Sequence, residues 1–219
     1  MSAPQQPDGY LALPPTLPPT GAGRPVLVLH PWWGLNETIR AFCRRLAAEG
    51  FVVFAPDLYH GRVTDQIAEA EVLSSSVGDE AQADVAAGAA FVRQQAKAGD
   101  GLLTVIGFSM GAYYALALSA ADPAHVRQVV LFYGTGPGDF SRAQASYLGH
   151  FATNDPYEPA EYVDGLETEL RGAGRPVTFY RYPNTGHWFF ESDRADAYDQ
   201  AAAELAWERT LAFLRDTPA

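Results

Sequence analysis

Gly107-Phe108-Ser109-Met110-Gly111 places a hydroxyl between two glycines, where the apolar run 102–107 gives way to the alanine-rich stretch 112–121. The spacing Gly-x-Ser-x-Gly suits a sharp turn from strand to helix. The residues two before and two after the serine must be small there, so that strand and helix can approach. The hydroxyl then projects from the turn. The next backbone N–H points into the same space, and the helix N-terminus adds positive partial charge for a developing oxyanion. The chemistry this suits is nucleophilic attack on a carbonyl. In the alternative, Ser109 merely caps a tight turn.

A serine hydroxyl is a weak nucleophile without a base to take its proton. The pattern therefore predicts a downstream histidine and an intervening acid, in the order Ser…Asp…His. Of the five histidines, His187 in "YPNTGHWFF" follows an apolar run and precedes the last helical stretch. His30 ends an early apolar run, upstream of Ser109, and is placed to line an oxyanion loop. His60, His125 and His150 read as loop, helix end and strand start. The acid is expected at Asp155 in "GHFATNDPYEP", where Pro156 ends a strand, with Asp139 as competitor. Asp193 and Glu191 follow the histidine and break the order. Asp155 would hold the imidazole in one tautomer and stabilise its protonated form. The second oxyanion donor is expected in "HPWWGLN". Pro31 has no N–H, so Trp32 is the first candidate, with Met110 as the other donor. Trp32 and Trp33 could also wall a pocket, although Trp33 could equally pack against the first helix.

These groups must be positioned by a regular frame. "PVLVLH", "FVVFAP", "LLTVIG", "VRQVVLFYG", "YLGHFAT" and "PVTFYRYP" are short apolar runs of the kind found in strands buried on both faces. Between them lie helical patterns. In "NETIRAFCRRLAAEG", Asn36 can cap, Ile39, Phe42, Cys43 and Leu46 share a face, and Gly50 terminates. "TDQIAEAEVLSSSV", "DEAQADVAAGAAFVRQQAKAG", "PAEYVDGLETELRGAG" and "ADAYDQAAAELAWERTLAFLRD" supply the others. Alternating strands and helices predict a mostly parallel sheet covered on both faces, with ligands at the carboxyl ends of the strands. No internal repeat or composition break divides residues 1–219, so one domain is expected. Its proline-rich start, 1–24, reads as either a short edge strand at "GYLAL" followed by the extended loop "PPTLPPTGAGRP", or a solvated linker.

Composition narrows the function classes. The formal net charge of −11 disfavours nucleic acid and anionic membrane as partners. Cys43 is the only cysteine, so no intramolecular disulfide forms, and a buried thiol is expected. The N-terminus lacks the basic start and apolar core of a signal peptide, and no run is long enough to span a bilayer; a cytoplasmic protein is expected. With no metal-ligand cluster and no Gly-x-Gly-x-x-Gly after a strand, neither metal nor organic cofactor is implied. The interval "GTGPGDFSRAQAS" is too short for a helical cap domain, which predicts an open, shallow site favouring small or flexible acyl groups over long lipids.

The segments "VLVLHPWWGLNETIRAFCRRLAAEGFVVFAPDLYHGR", "GFSMGAYYALALSA", "GHFATNDPYEPAE" and "YPNTGHWFFESDRADAYDQAAAELAWERTLAFLR" together resemble the dienelactone hydrolase family of the α/β-hydrolases. The resemblance spans residues 24–215. It implies an α/β-hydrolase core, a nucleophile–His–Asp triad falling on Ser109, His187 and Asp155, and an oxyanion hole from the N–H groups of Trp32 and Met110. The enzyme that gives the family its name has a cysteine where this chain has Ser109, and an activating glutamate where this chain has Pro31. The two departures agree with each other, since a serine beside a histidine needs no extra carboxylate to make a thiolate. They imply a serine-esterase mechanism. That enzyme also clamps a substrate carboxylate with arginines, one of them four residues after the histidine. Here that position is Glu191, expected to repel an anion, so a neutral ester or lactone is the expected substrate. Arg62 and Arg194 lie near in sequence. Trp33, Trp188 and Arg62 are the candidate substrate contacts. The same triad could serve a thioesterase or an acyl-transfer or cyclisation enzyme, and the fold alone could serve a non-catalytic binding protein.

Overall fold

The computed structural model describes residues 6–16, 23–97 and 101–216. Among the described residues, seven strands form one sheet: β1 Gly9–Ala12, β2 Arg24–Leu29, β3 Phe51–Pro56, β4 Leu103–Phe108, β5 Val126–Phe132, β6 Ser146–Ala152 and β7 Val177–Tyr182. Their spatial order is β1-β3-β2-β4-β5-β6-β7. β1 runs antiparallel against β3, and every other pairing is parallel. The same residues form six helices, the last after β7: α1 Glu37–Ala48, α2 Ile67–Ser76, α3 Gly78–Ala96, α4 Met110–Ala121, α5 Ala160–Gly172 and α6 Gln200–Arg215. This is an α/β-hydrolase architecture without a cap domain; the chain between β5 and β6 carries no helix.

The apolar runs become strands because each can bury both faces. In β2, Val26 and Val28 join the core that includes α1 and α6 residues, while Leu27 and Leu29 join the opposite core, on the side of α3 and α4. Alternate residues thus enter separate cores, which is why these runs are apolar without alternation. α1 starts where the Asn36 side chain accepts from Ile39 N at 3.1 Å, and Ile39, Phe42, Cys43 and Leu46 are its buried face. Asn36 satisfies one of the amides left open at a helix start.

The structure differs from expectation in places. The last helix begins at Gln200 rather than near 195, because Asp199 caps it by accepting from Ala202 N at 2.9 Å. His150 lies well inside β6, fully buried between the Tyr182 hydroxyl (2.8 Å) and Thr210 Oγ1 (3.0 Å). "GYLAL" contributes the edge strand β1. Much of the predicted loop "PPTLPPTGAGRP", residues 17–22, lies outside the described residues.

Candidate active site

β4 delivers Ser109 to the carboxyl edge of the sheet. Phe108, the residue before it, is fully buried, stacks on Phe132 at 4.5 Å and receives Phe42 of α1 edge-on at 5.1 Å. Each such ring pair adds about 1 kcal/mol beyond burial, so the strand end is fixed. Ser109 itself has φ +49 and ψ −113, a conformation that costs a side-chain-bearing residue about 1–3 kcal/mol. Neighbouring glycines make the turn possible. A Cβ on Gly107 would lie 2.3 Å from Gly111 O, one on Gly111 would lie 2.2 Å from Leu29 O, and one on Gly134 would lie 2.5 Å from Ser109 O. These are backbone atoms that cannot swing aside. Gly111→Ala is therefore expected to destabilise the fold by more than about 3 kcal/mol, with a melting temperature about 10 °C lower. Thermal denaturation followed by circular dichroism measures it; an unchanged melting temperature would mean the α4–β2 contact is loose.

The structure brings Ser109, His187 and Asp155 together. Ser109 Oγ lies 2.8 Å from His187 Nε2, and His187 Nδ1 lies 2.7 Å from Asp155 Oδ2. Asp155 Oδ1 accepts from the backbone N–H of Tyr157 (2.9 Å) and Glu158 (3.0 Å), so both carboxylate oxygens are engaged. With Nδ1–H donated to Asp155, Nε2 is left to accept the Ser109 proton. The two loops carrying these residues are tied to each other. Thr153 N donates to Tyr182 O at 3.1 Å, Asn184 N to Thr153 Oγ1 at 3.0 Å, and Asn154 N to Thr185 O at 3.0 Å.

The competing groups lie elsewhere. Asp139 is exposed and accepts from Ser141 N, and Asp193 accepts from the Asn36 amide. His30 is buried, placing Nδ1 2.7 Å from Pro31 O and accepting from Leu58 N at Nε2 (3.1 Å). Burial lowers its pKa, so it remains a neutral brace between the β2 and β3 loops. His60 sits among Asp8, Glu80 and Asp84, and His125 pairs with Asp122. Among the described residues, no three His, Cys, Asp or Glu side chains are grouped to hold a metal.

Parallel register explains how Trp32 and Met110 come to the same edge. Leu29 of β2 pairs with Gly107 of β4, and Trp32 and Met110 each lie three residues beyond those partners. Among the described residues neither backbone N–H donates to another backbone carbonyl outside a helix or strand. The Trp32 ring is partly exposed, stacks on Trp188 at 6.0 Å and meets Tyr157 at 5.6 Å. Tyr157 is 44% exposed and lies 5.2 Å from the His187 ring. It is an aromatic wall of the site that the sequence reading missed. The segment "NDPYEP" offered a signal: the backbone N–H two residues after an Asp closes a turn on its side chain, which draws Tyr157 beside Asp155.

Several expectations need correction. Trp33 is 1% exposed, with the Arg194 guanidinium 4.2 Å over its ring, so it is core and cannot touch a substrate. Trp188 is 6% exposed, stands edge-on to His187 at 5.0 Å and stacks on Trp32 at 6.0 Å, so it backs the partly exposed ring and offers little surface of its own. Arg62 is exposed on the loop after β3, donates to Tyr59 O, and lines a cleft of about 560 Å³ with Val63, Ala68, Val72 and Leu73 of the α2 region. No triad residue lines that cleft. Glu191 is fully buried rather than facing the rim; its Oε1 accepts from the Tyr133 hydroxyl at 2.8 Å. Burial pushes its carboxyl up to about 8, so it presents no charge to an incoming anion at neutral pH. Arg194 lies over Trp33 and Trp188 and is spent on that aromatic wall.

Three comparisons place the family and the fold. The model of the dienelactone hydrolase family matches residues 8–217. Protein usf of Aquifex pyrophilus is 28% identical over 218 residues, covering 95% of this chain and 92% of that protein. A protein of Methylorubrum extorquens named "Putative carboxymethylenebutenolidase" is 30% identical over 227 residues, covering 95% and 77%. The crystal structure of a "Putative Dienelactone Hydrolase" from Klebsiella pneumoniae superposes with a TM-score of 0.84 at 27% identity, covering 95% and 92%.

Proposed function

The chain belongs to the dienelactone hydrolase family, and from that premise we propose that it is a serine hydrolase that cleaves small-molecule carboxylic esters or lactones through an acyl-enzyme on Ser109. The observation that carries this is the continuous relay from Ser109 Oγ through His187 to Asp155, at 2.8 and 2.7 Å. Ser109 Oγ attacks the carbonyl carbon while His187 Nε2 takes the hydroxyl proton. The oxyanion is held by the N–H groups of Trp32 and Met110 and by the N-terminus of α4. Collapse of the tetrahedral intermediate breaks the bond to the leaving oxygen, which takes the proton from His187. Water, deprotonated by the same nitrogen, then attacks the acyl-enzyme; the carboxylic acid leaves and Ser109 regains its proton. In a lactone the leaving alcohol stays attached to the acyl group, and the product is a hydroxy acid.

The absence of a helix between β5 and β6 leaves the site open, and Trp32 and Tyr157 offer apolar walls. Short or flexible acyl groups fit such a surface; a long lipid chain would gain little burial. Glu191, buried and uncharged at neutral pH, does not itself repel an anion; the preference for a neutral substrate rests on Arg194 being held over Trp33 and Trp188 and Arg62 lining a cleft apart from the triad.

Reaction with a fluorophosphonate probe, followed by peptide mass mapping, tests the nucleophile. Hydrolysis of p-nitrophenyl esters from acetate to laurate tests the substrate class. The expected result is a single label on Ser109, and kcat/KM for acetate and butyrate at least about tenfold above laurate. Matched thioesters are expected to be no faster than their oxygen esters. No label and no turnover of any ester would overturn the reading in favour of a non-catalytic binding protein.

A further inference from the structure

We propose that Glu191 is a positioning residue that acts through Tyr133 to hold the His187 imidazole in line with Ser109. The inference rests on His187 being the base of the proposed reaction.

Tyr133 follows β5 with φ +36, a left-handed conformation that a ring-bearing residue adopts only where its surroundings impose it. Its N–H donates to His150 O at 2.8 Å, which carries the β5–β6 ladder one residue past the end of β5. In this conformation the ring lies 5.0 Å from the His187 ring. The phenol, fully buried, donates to Glu191 Oε1 at 2.8 Å. Glu191 itself closes a turn back onto the histidine segment, its N–H donating to Trp188 O at 2.9 Å. The chain that carries His187 is thus anchored at the imidazole by Asp155 and four residues later by Glu191, with the Tyr133 ring between them.

Packing alone does not require a carboxyl here. Glu191 Oε2 is buried with no hydrogen-bond partner, which an apolar side chain would avoid. Oε1 supplies what an apolar side chain cannot, an acceptor that fixes the rotation of the Tyr133 ring against the imidazole. The charged and titratable groups around it are Tyr133 from the β5 end, Asp155 beyond Tyr133 from the β6 loop, His187 against the Tyr133 ring, and Asp193 and Arg194 on its own segment. Arg194 makes its described ion pair with Asp196 at 3.7 Å, not with Glu191. Burial raises Glu191 to about 8, while burial and the neighbouring Glu191 push the Tyr133 phenol well above 10. Below pH 8 the pair is a neutral hydrogen bond. Above it, a carboxylate forms in a dry site, where the Tyr133 phenol is its hydrogen-bond donor, and a charge-assisted bond replaces the neutral one.

The test is the pH profile of kcat and KM on p-nitrophenyl acetate for wild type, Tyr133→Phe, Glu191→Ala and Glu191→Gln, with Ser109→Ala run beside them. Tyr133→Phe removes one oxygen and leaves the ring. Tyr133→Phe and Glu191→Ala are expected to lower kcat about tenfold with KM within about twofold, since positioning errors act on the chemical step. Glu191→Gln keeps an acceptor and is expected to recover most of that loss. Wild-type kcat is expected to change near pH 8 as Glu191 ionises beside Tyr133, and Glu191→Gln to lack that inflection. A merely structural tie would change melting temperature without moving the profile. If Tyr133→Phe and Glu191→Gln both match wild type in kcat and in pH profile, the inference is overturned. If Ser109→Ala retains full activity, it is the serine-hydrolase reading that fails instead.

Discussion

Ser109→Ala is expected to lower kcat on p-nitrophenyl esters by about 10⁵-fold while leaving the protein folded. The size follows from the role. Without Oγ no acyl-enzyme forms, and only the oxyanion donors and substrate binding remain to assist direct attack by water. Stability should barely change. Ser109 Oγ has His187 Nε2 as its described hydrogen-bond partner, and alanine is as strained as serine at φ +49. Ser109→Gly should instead stabilise the fold by about 1 kcal/mol, because glycine adopts that φ freely. An inactive alanine variant with wild-type melting temperature, beside an inactive glycine variant that melts higher, would show strain held at this residue for the sake of the hydroxyl. Residual activity within about tenfold of wild type would place the nucleophile elsewhere.

That strained turn was also the most legible part of the chain. Gly107 and Gly111 are needed because a Cβ at either would strike backbone, and that steric demand leaves a spacing in the sequence. Asp155 was legible because its segment follows a parallel strand to the rim, although β6 ends at Ala152 and Asp155 stands three residues into the loop rather than at a strand end stopped by Pro156. The parallel sheet could be read because both cores demand apolar residues at successive strand positions. Side-chain direction in the loops was much harder to read. Trp32 and Trp33 are adjacent, and one faces the rim while the other is buried under Arg194. No periodicity operates in a loop to tell them apart. Glu191 was misread because a charged residue near a site is exposed by default, and its burial depends on Tyr133, 58 residues away. Tyr133 carried a faint signal: "FYG" ends a buried strand and runs into Gly134, which must approach Ser109 O. The start of α6 was blurred because Asp193, Asp196 and Asp199 are all plausible caps, and only Asp199 has the geometry.

Asp155→Asn is the second variant with a large expected effect, about 10⁴-fold in kcat with KM little changed. The argument is about which end of the amide turns toward the histidine. Asp155 Oδ1 accepts two backbone N–H groups, from Tyr157 and Glu158. An asparagine must keep its carbonyl oxygen there, because its NH₂ facing two donors would leave both unpaired. The NH₂ then occupies the place of Oδ2, 2.7 Å from His187 Nδ1. Two donors cannot share that contact, so the imidazole shifts its proton to Nε2. Nε2–H now points at Ser109 Oγ and cannot accept its proton. The nucleophile, the oxyanion donors and the aromatic walls all remain in place, yet the base is in the wrong tautomer. Glu158 cannot substitute, since its carboxylate already accepts from Thr135 Oγ1. Steady-state kinetics of Asp155→Asn at neutral pH reads the effect. A loss smaller than about tenfold would mean that the tautomer is not set by Asp155, and that the imidazole can be oriented by its aromatic neighbours alone.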